Sequence, residues 1–131
     1  MKNLTPIICV DDDQNVLLSL KHQLMLRLEN KVVVFCAESA NEGLELVNDL
    51  RARNDKQIIL VADIIMPDSD GLEFVKDAKR ISPLLRAIVL SGFCDEVKCE
   101  RMRLSGHLDA VLAKPWEEHE LISHIELLIS N

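Results

Sequence analysis

None of the 15 lysines and arginines form a block, and against 22 aspartates and glutamates they leave a formal charge of -7. A phosphate-binding surface needs clustered cations, so direct nucleic-acid binding is not expected. No apolar run approaches the roughly 20 residues of a membrane-spanning helix. The opening Met1-Lys2-Asn3-Leu4-Thr5 also lacks the apolar stretch of a secretory signal, so a cytoplasmic chain without membrane association is the expectation. The four cysteines, Cys9, Cys36, Cys94 and Cys99, show no CxxC spacing. They read as reduced thiols, with Cys9 and Cys36 inside apolar runs that suggest buried strands. His22, His107, His119 and His124 lack metal-ligand spacing and read as surface residues. Internal repeats, low-complexity tracts and Pro/Gly/Ser linkers are missing too, so residues 1–131 read as one domain.

What is present is a globular balance, 48% apolar and 28% charged over 131 residues, enough to bury a core without staples. Short apolar runs stand at Ile7 to Val10, Val32 to Ala37, Ile58 to Ala62, Ala87 to Leu90 and Ala110 to Ala113. Near-continuous apolarity over such lengths predicts strands covered on both faces. Between them lie helical patterns. Val16, Leu17, Leu20, Leu24 and Leu28 recur at three- and four-residue spacing. Ser39 and Glu42 have capping-box spacing ahead of Leu44, Val47 and Leu50. A third helix is expected from about Leu72 to Arg80, and a short fourth from about Asp95 to Leu104, ending before a left-handed cap at Gly106. The last carries Glu117, Glu118 and Glu120 in its first turn, then Leu121, Ile122, Ile125, Leu128 and Ile129. Strand and helix alternate throughout, which implies right-handed crossovers and a doubly wound parallel sheet. Ligands of such sheets collect at the carboxyl ends of the strands.

Those ends bring forward Asp11, Asp12 and Asp13, then Asp63, Ser91 and Lys114. Each alone would pass as a loop residue: Asp13 a helix cap, Ser91 a turn hydroxyl, Lys114 a solvated charge. Together the carboxylates would repel one another unless a cation neutralised them, and hard oxygen ligands suit Mg²⁺. A carboxylate can accept a phosphoryl group as an acyl phosphate, provided positive charge meets the developing oxygens. The metal and Lys114 fit that need, while the Ser91 hydroxyl and amides near Gly92 could bond the remaining oxygens.

Val10-Asp11-Asp12-Asp13, Asp63-Ile64-Ile65-Met66-Pro67-Asp68-Ser69-Asp70-Gly71, Leu90-Ser91-Gly92 and Lys114-Pro115-Trp116 together resemble the signatures of two-component receiver domains, in order and spacing across nearly the whole chain. The resemblance implies a five-stranded (βα)5 flavodoxin-like fold of strand order 2-1-3-4-5. It implies Asp63 as phosphoacceptor and Asp11, Asp12, Asp63 and the Ile65 carbonyl as the Mg²⁺ site. Ser91 and Lys114 would contact the phosphoryl oxygens, with backbone amides of Ile64 and Gly92 beside them. The Lys114–Pro115 bond would be cis, and Gly71 would occupy a turn strained for a side chain. The donor would be a histidine kinase or phosphotransfer protein. The target would be an effector domain or downstream protein, with similarity around Ser91-Gly92-Phe93 and Lys114-Pro115-Trp116 to receivers of HD-GYP phosphodiesterases. Self-association is a habit of the family.

The sequence departs from the pattern at Val111, where receivers often place a switching aromatic; the chain has no tyrosine and its aromatics are Phe35, Phe74, Phe93 and Trp116. Displacement of the Ser91 loop and the short fourth helix is expected to carry the signal instead. Ile65 and Phe93 stand where receivers tune the acyl phosphate lifetime, and their bulk suggests shielding and slow hydrolysis. A pseudo-receiver acting by interaction alone would lack the acceptor, acidic pair or lysine, all present here. A haloacid-dehalogenase-like phosphatase would need a second aspartate where Ile65 stands, and a Rossmann domain a Gly-rich turn where three aspartates stand. The expected role is a signalling switch that modifies itself, with no turnover of a free substrate.

Overall fold

In the computed structural model, which describes residues 4–53, 57–92 and 96–130, the alternation becomes five strands and five helices. They run β1 (Thr5–Val10), α1 (Gln14–Arg27), β2 (Val32–Ala37), α2 (Ala40–Ala52), β3 (Ile59–Asp63), α3 (Gly71–Ile81), β4 (Arg86–Ser91), α4 (Glu96–Leu104), β5 (Ala110–Ala113) and α5 (Glu118–Ser130). The sheet is parallel in the order β2-β1-β3-β4-β5. Asp63 and Ser91, expected just past their strands, are instead the last residues of β3 and β4.

The pleat sends alternate residues of each strand to opposite faces, and both faces are apolar because both are covered. Ile8, Val10, Leu60, Ala62, Ala87 and Val89 meet Val47 and Leu50 of α2 and Leu72, Phe74 and Val75 of α3. Ile7, Cys9, Ile59, Val61, Ile88 and Leu90 meet Leu17, Leu20 and Leu24 of α1 and Leu121, Ile125 and Leu128 of α5. β2 is an edge strand, and there burial is incomplete: Val33 and Phe35 are half-buried, and Cys36 departs furthest from expectation. Cys36 lies beside Cys9 in register but is exposed, whereas Cys9 is buried. Burial pushes the thiols of both above their ordinary value, Cys36 adding to the effect on Cys9, so neither is primed as a thiolate. Cys94 lies outside the described residues.

Caps fix where the helices begin. The Asp13 carboxylate accepts from the Asn15 amide at α1, as expected, and Ser39 Oγ from the Glu42 amide at α2. Asp70 accepts from the Leu72 amide at α3. Gly106 takes φ of +89°, the left-handed cap read from the sequence. α4 shows little apolar anchoring among its described side chains, with Val97 and Leu104 65% and 78% exposed.

Candidate functional site

The parallel sheet brings the ends of β1, β3, β4 and β5 to one edge, and three charged side chains meet there. Lys114 Nζ lies 2.8 Å from Asp11 Oδ2 and 3.2 Å from Asp63 Oδ2, bridging two strands through a third. Asp11 is fully buried and Asp63 is 8% exposed, so this ion pair is shielded from solvent. Asp11 Oδ1 also accepts from the Asp13 amide at 2.8 Å, which orients its carboxylate. Asp12 is exposed at the rim. Lys114 is itself held in place, because its amide donates to the Ser91 carbonyl at 2.9 Å just past β5. Its bond to Pro115 is cis.

Burial pushes the Asp63 carboxyl above the usual carboxylate range, and Asp11 adds to the push. Lys114 and the Ile65 amide, which bonds to the carboxylate, pull the other way without cancelling it. Burial alone would lower Lys114, but its bonds to Asp11 and Asp63 outweigh it and hold the ammonium above its ordinary value. The surroundings therefore favour the charged form of the lysine and only partly offset the charge of an ionised Asp63.

Among the described residues, Asp11, Asp12 and Asp63 form the one group with metal-ligating potential, each offering an oxygen within 4.8 Å of the others. Three carboxylates against one ammonium leave an excess of negative charge, and all the donors are hard oxygens. That donor set fits Mg²⁺.

The loop after β3 corrects two readings of the sequence. The Ile64 amide, expected to be a phosphate donor, donates to the Leu90 carbonyl at 3.1 Å and extends the sheet ladder. The amide directed at the Asp63 carboxylate is that of Ile65. A side chain at Gly71 would be strained, as expected, but not through a turn conformation, since the residue opens α3 without a positive φ. What demands glycine is close approach: an added Cβ would strike the Asp63 carbonyl oxygen and lie 2.6 Å from Ile64 Cα. Its amide donates to the Ile64 carbonyl at 2.7 Å, so α3 is seated directly on the backbone at the end of β3.

The Ile65 side chain is 67% exposed at the mouth of the site. Gly92 is exposed just past β4, with nothing within 4 Å of an added Cβ. Ser91 is nearly buried at the end of β4. Val111 sits half-buried in β5 against the cluster beneath α2 and α3, opposite Val89. Phe93 lies outside the described residues.

The family model for the response regulator receiver domain matches residues 7–126. The chain belongs to this family. The response regulator MprA from Mycobacterium leprae (strain TN) is a relative: this chain is 32% identical to it over 123 residues, 94% of this chain and 50% of MprA. Among solved structures, the response regulator receiver domain protein (CheY-like) from Methanospirillum hungatei JF-1 superposes with a TM-score of 0.82 at 26% identity, covering 98% of this chain and 95% of that one. The signal receiver domain of an HD domain-containing protein from Pseudomonas fluorescens Pf-5 shares the fold, with a TM-score of 0.82 at 21% identity over 99% of this chain and 90% of its own. This receiver domain spans about half the length, or less, of the curated relatives it matches. Receiver domains belong to phosphoryl-accepting signal transduction in two-component systems, and this one takes its place there.

Two contacts of the receiver domain were not legible in the sequence. Asp68 accepts from the amides of Ala40 and Asn41, at 3.0 and 3.1 Å, and so ties the loop after β3 to the start of α2. Those bonds hold its carboxyl below the usual range. Trp116 Nε1 donates to Gln23 Oε1 at 2.8 Å, joining the segment after Lys114 to α1. Both pairs are far apart in sequence, and no local spacing marks them.

Proposed function

We propose that Asp63 is the phosphoacceptor of this receiver domain and that Mg²⁺, held by Asp11, Asp12, Asp63 and the Ile65 carbonyl, is required for the transfer. The observation that carries the reading is Lys114 Nζ within 3.2 Å of Asp63 and 2.8 Å of Asp11, beside the third carboxylate of the cluster. The bound cation supplies charge neutralisation at the phosphoryl oxygens. An Asp63 carboxylate oxygen attacks the phosphorus of a phosphohistidine; the O–P bond forms, the P–N bond breaks, and the histidine nitrogen leaves with the electron pair. Lys114 offers its ammonium to the transferred oxygens. The Ser91 hydroxyl and the amides of Ile65 and Gly92 complete the cradle, and Asp11 keeps the lysine in reach. A histidine kinase or phosphotransfer protein is the donor, and an effector domain or downstream protein reads the result; an HD-type output is one such effector. Ile65, exposed above the acceptor, hinders approach of water and lengthens the phosphoryl lifetime.

Intact-mass analysis after incubation with acetyl phosphate and Mg²⁺ tests the reading. One added phosphoryl group, lost in Asp63→Ala and with a chelator, is the expected result. A folded, Mg²⁺-binding sample that gains nothing, and that also fails to bind beryllofluoride, would replace it with an unphosphorylated interaction module.

A further inference from the structure

The ladder that fixes Lys114 ends with it. β5 is a short edge strand, and beyond the bond from the Lys114 amide to Ser91 the chain leaves the sheet. What holds the next residues is α1. The Trp116 ring packs against the cluster beneath α1 and α5, and its Nε1 donates to Gln23 Oε1 at 2.8 Å. Two residues on, Glu118 meets Arg27 Nε at 2.7 Å. Gln23 and Arg27 are four apart and so share one face of α1. The same helix is capped by Asp13, directly after the acidic pair. One rigid rod therefore joins the loop bearing Asp11 and Asp12 to the segment bearing Lys114.

We propose that Gln23 and Trp116 are positioning residues for phosphoryl uptake, their hydrogen bond keeping the Lys114 ammonium between Asp11 and Asp63. This rests on the reading of Asp63 as phosphoacceptor. An indole N–H is only a donor, and a half-buried donor left without an acceptor is costly, so Gln23 sets the ring's place and not only its burial. Ring packing alone would leave the segment free to slide along an apolar surface, because such contacts have no direction.

The ammonium and the divalent cation answer to the same carboxylates. Loosening the lysine therefore strengthens Mg²⁺ binding while slowing phosphoryl uptake, whereas general damage to the fold weakens both. The experiment compares wild type with Gln23→Met, which keeps volume but has no acceptor, Gln23→Glu, which keeps one, and Trp116→Phe, which keeps a smaller aromatic ring but loses the N–H. Phosphoryl uptake from acetyl phosphate is followed by intact mass at saturating Mg²⁺, and Mg²⁺ affinity by calorimetry. Gln23→Met and Trp116→Phe are expected to slow uptake roughly 3- to 10-fold and to tighten Mg²⁺ binding about 3-fold. The double variant should be no slower than either single one, and Gln23→Glu should restore both readouts. Should Gln23→Met fail to fold, Trp116→Phe carries the test. Wild-type rates in both variants, slow uptake in Gln23→Glu, or weaker Mg²⁺ binding alongside slow uptake would each overturn the proposal. Wild-type protein that takes no phosphoryl group would instead overturn the reading of Asp63, and this proposal with it.

Discussion

Asp63 is held in a charged state that its surroundings resist, and that tension decides what substitution there should do. Its carboxyl lies above the usual range through burial, Lys114 notwithstanding. A raised acid binds protons more readily folded than unfolded, so stability falls as pH climbs from the unfolded pKa, about 3.9, through the folded one. At neutral pH the ionised group is a net cost. Asp63→Asn is therefore expected to stabilise the fold at pH 7 by about 1 kcal/mol, a rise in Tm of roughly 4 °C. The gain should shrink at pH 3.5, where the wild-type carboxyl is protonated. Thermal unfolding at the two pH values checks this, and a lower Tm for the variant at pH 7 would contradict it. Lys114 presents the opposite sign. Its ammonium is raised, so the stability it lends is present at neutral pH and lost as pH rises past its folded value.

The elements meet at distances set by their smallest residues. Gly43 of α2 faces Phe74 of α3 so closely that a Cβ would fall 2.7 Å from the ring's Cζ, and Phe74 is fully buried. Gly43→Ala gains about 1 kcal/mol of helix propensity but overpacks that contact, at about 1–3 kcal/mol. Net destabilisation of about 1 kcal/mol is expected in denaturant unfolding; a more stable variant would show that the α2–α3 packing yields. The strands and helices themselves were legible, because periods of 2 and 3.6 are written locally in runs such as Ile7 to Val10 and in the spacing of Leu17, Leu20 and Leu24. Close approach was not. Neither the demand for glycine at 43 nor the seat of Gly71 on the Asp63 carbonyl has a local signal, since the first depends on the Phe74 ring and the second on the backbone of another element. The exposure of Cys36 was hidden for a similar reason: an apolar run does not say that its strand lies at an edge.

For the molecule as a whole, a cation bound at the acidic edge, as proposed, would make folding and cation binding one equilibrium. A ligand that binds only the folded state adds about 2.7 kcal/mol at a hundred times its Kd. Mg²⁺ at that excess is expected to raise Tm of the wild type by roughly 10 °C, and Asp12→Ala, which removes one of the three carboxylates, to abolish most of that rise. An equal rise in the variant would place the ion elsewhere. The converging site was readable before the fold because strand ends in a parallel sheet share one edge, and Asp11, Asp12, Asp63, Ser91 and Lys114 each stand at or just past such an end. The choice of amide was not. Whether the amide of Ile64 or of Ile65 faces the Asp63 carboxylate turns on the ladder bond to Leu90, a matter of strand length to within one residue.

The chain contains a single tryptophan and no tyrosine, and that one indole is half-buried, bonded to α1 and two residues from Lys114. Its near-ultraviolet emission therefore comes from one known place. An unlabelled sample should report beryllofluoride binding as a shift in intensity or wavelength, lost in Asp63→Ala, so that phosphoryl lifetimes could be followed optically in real time without a coupled assay.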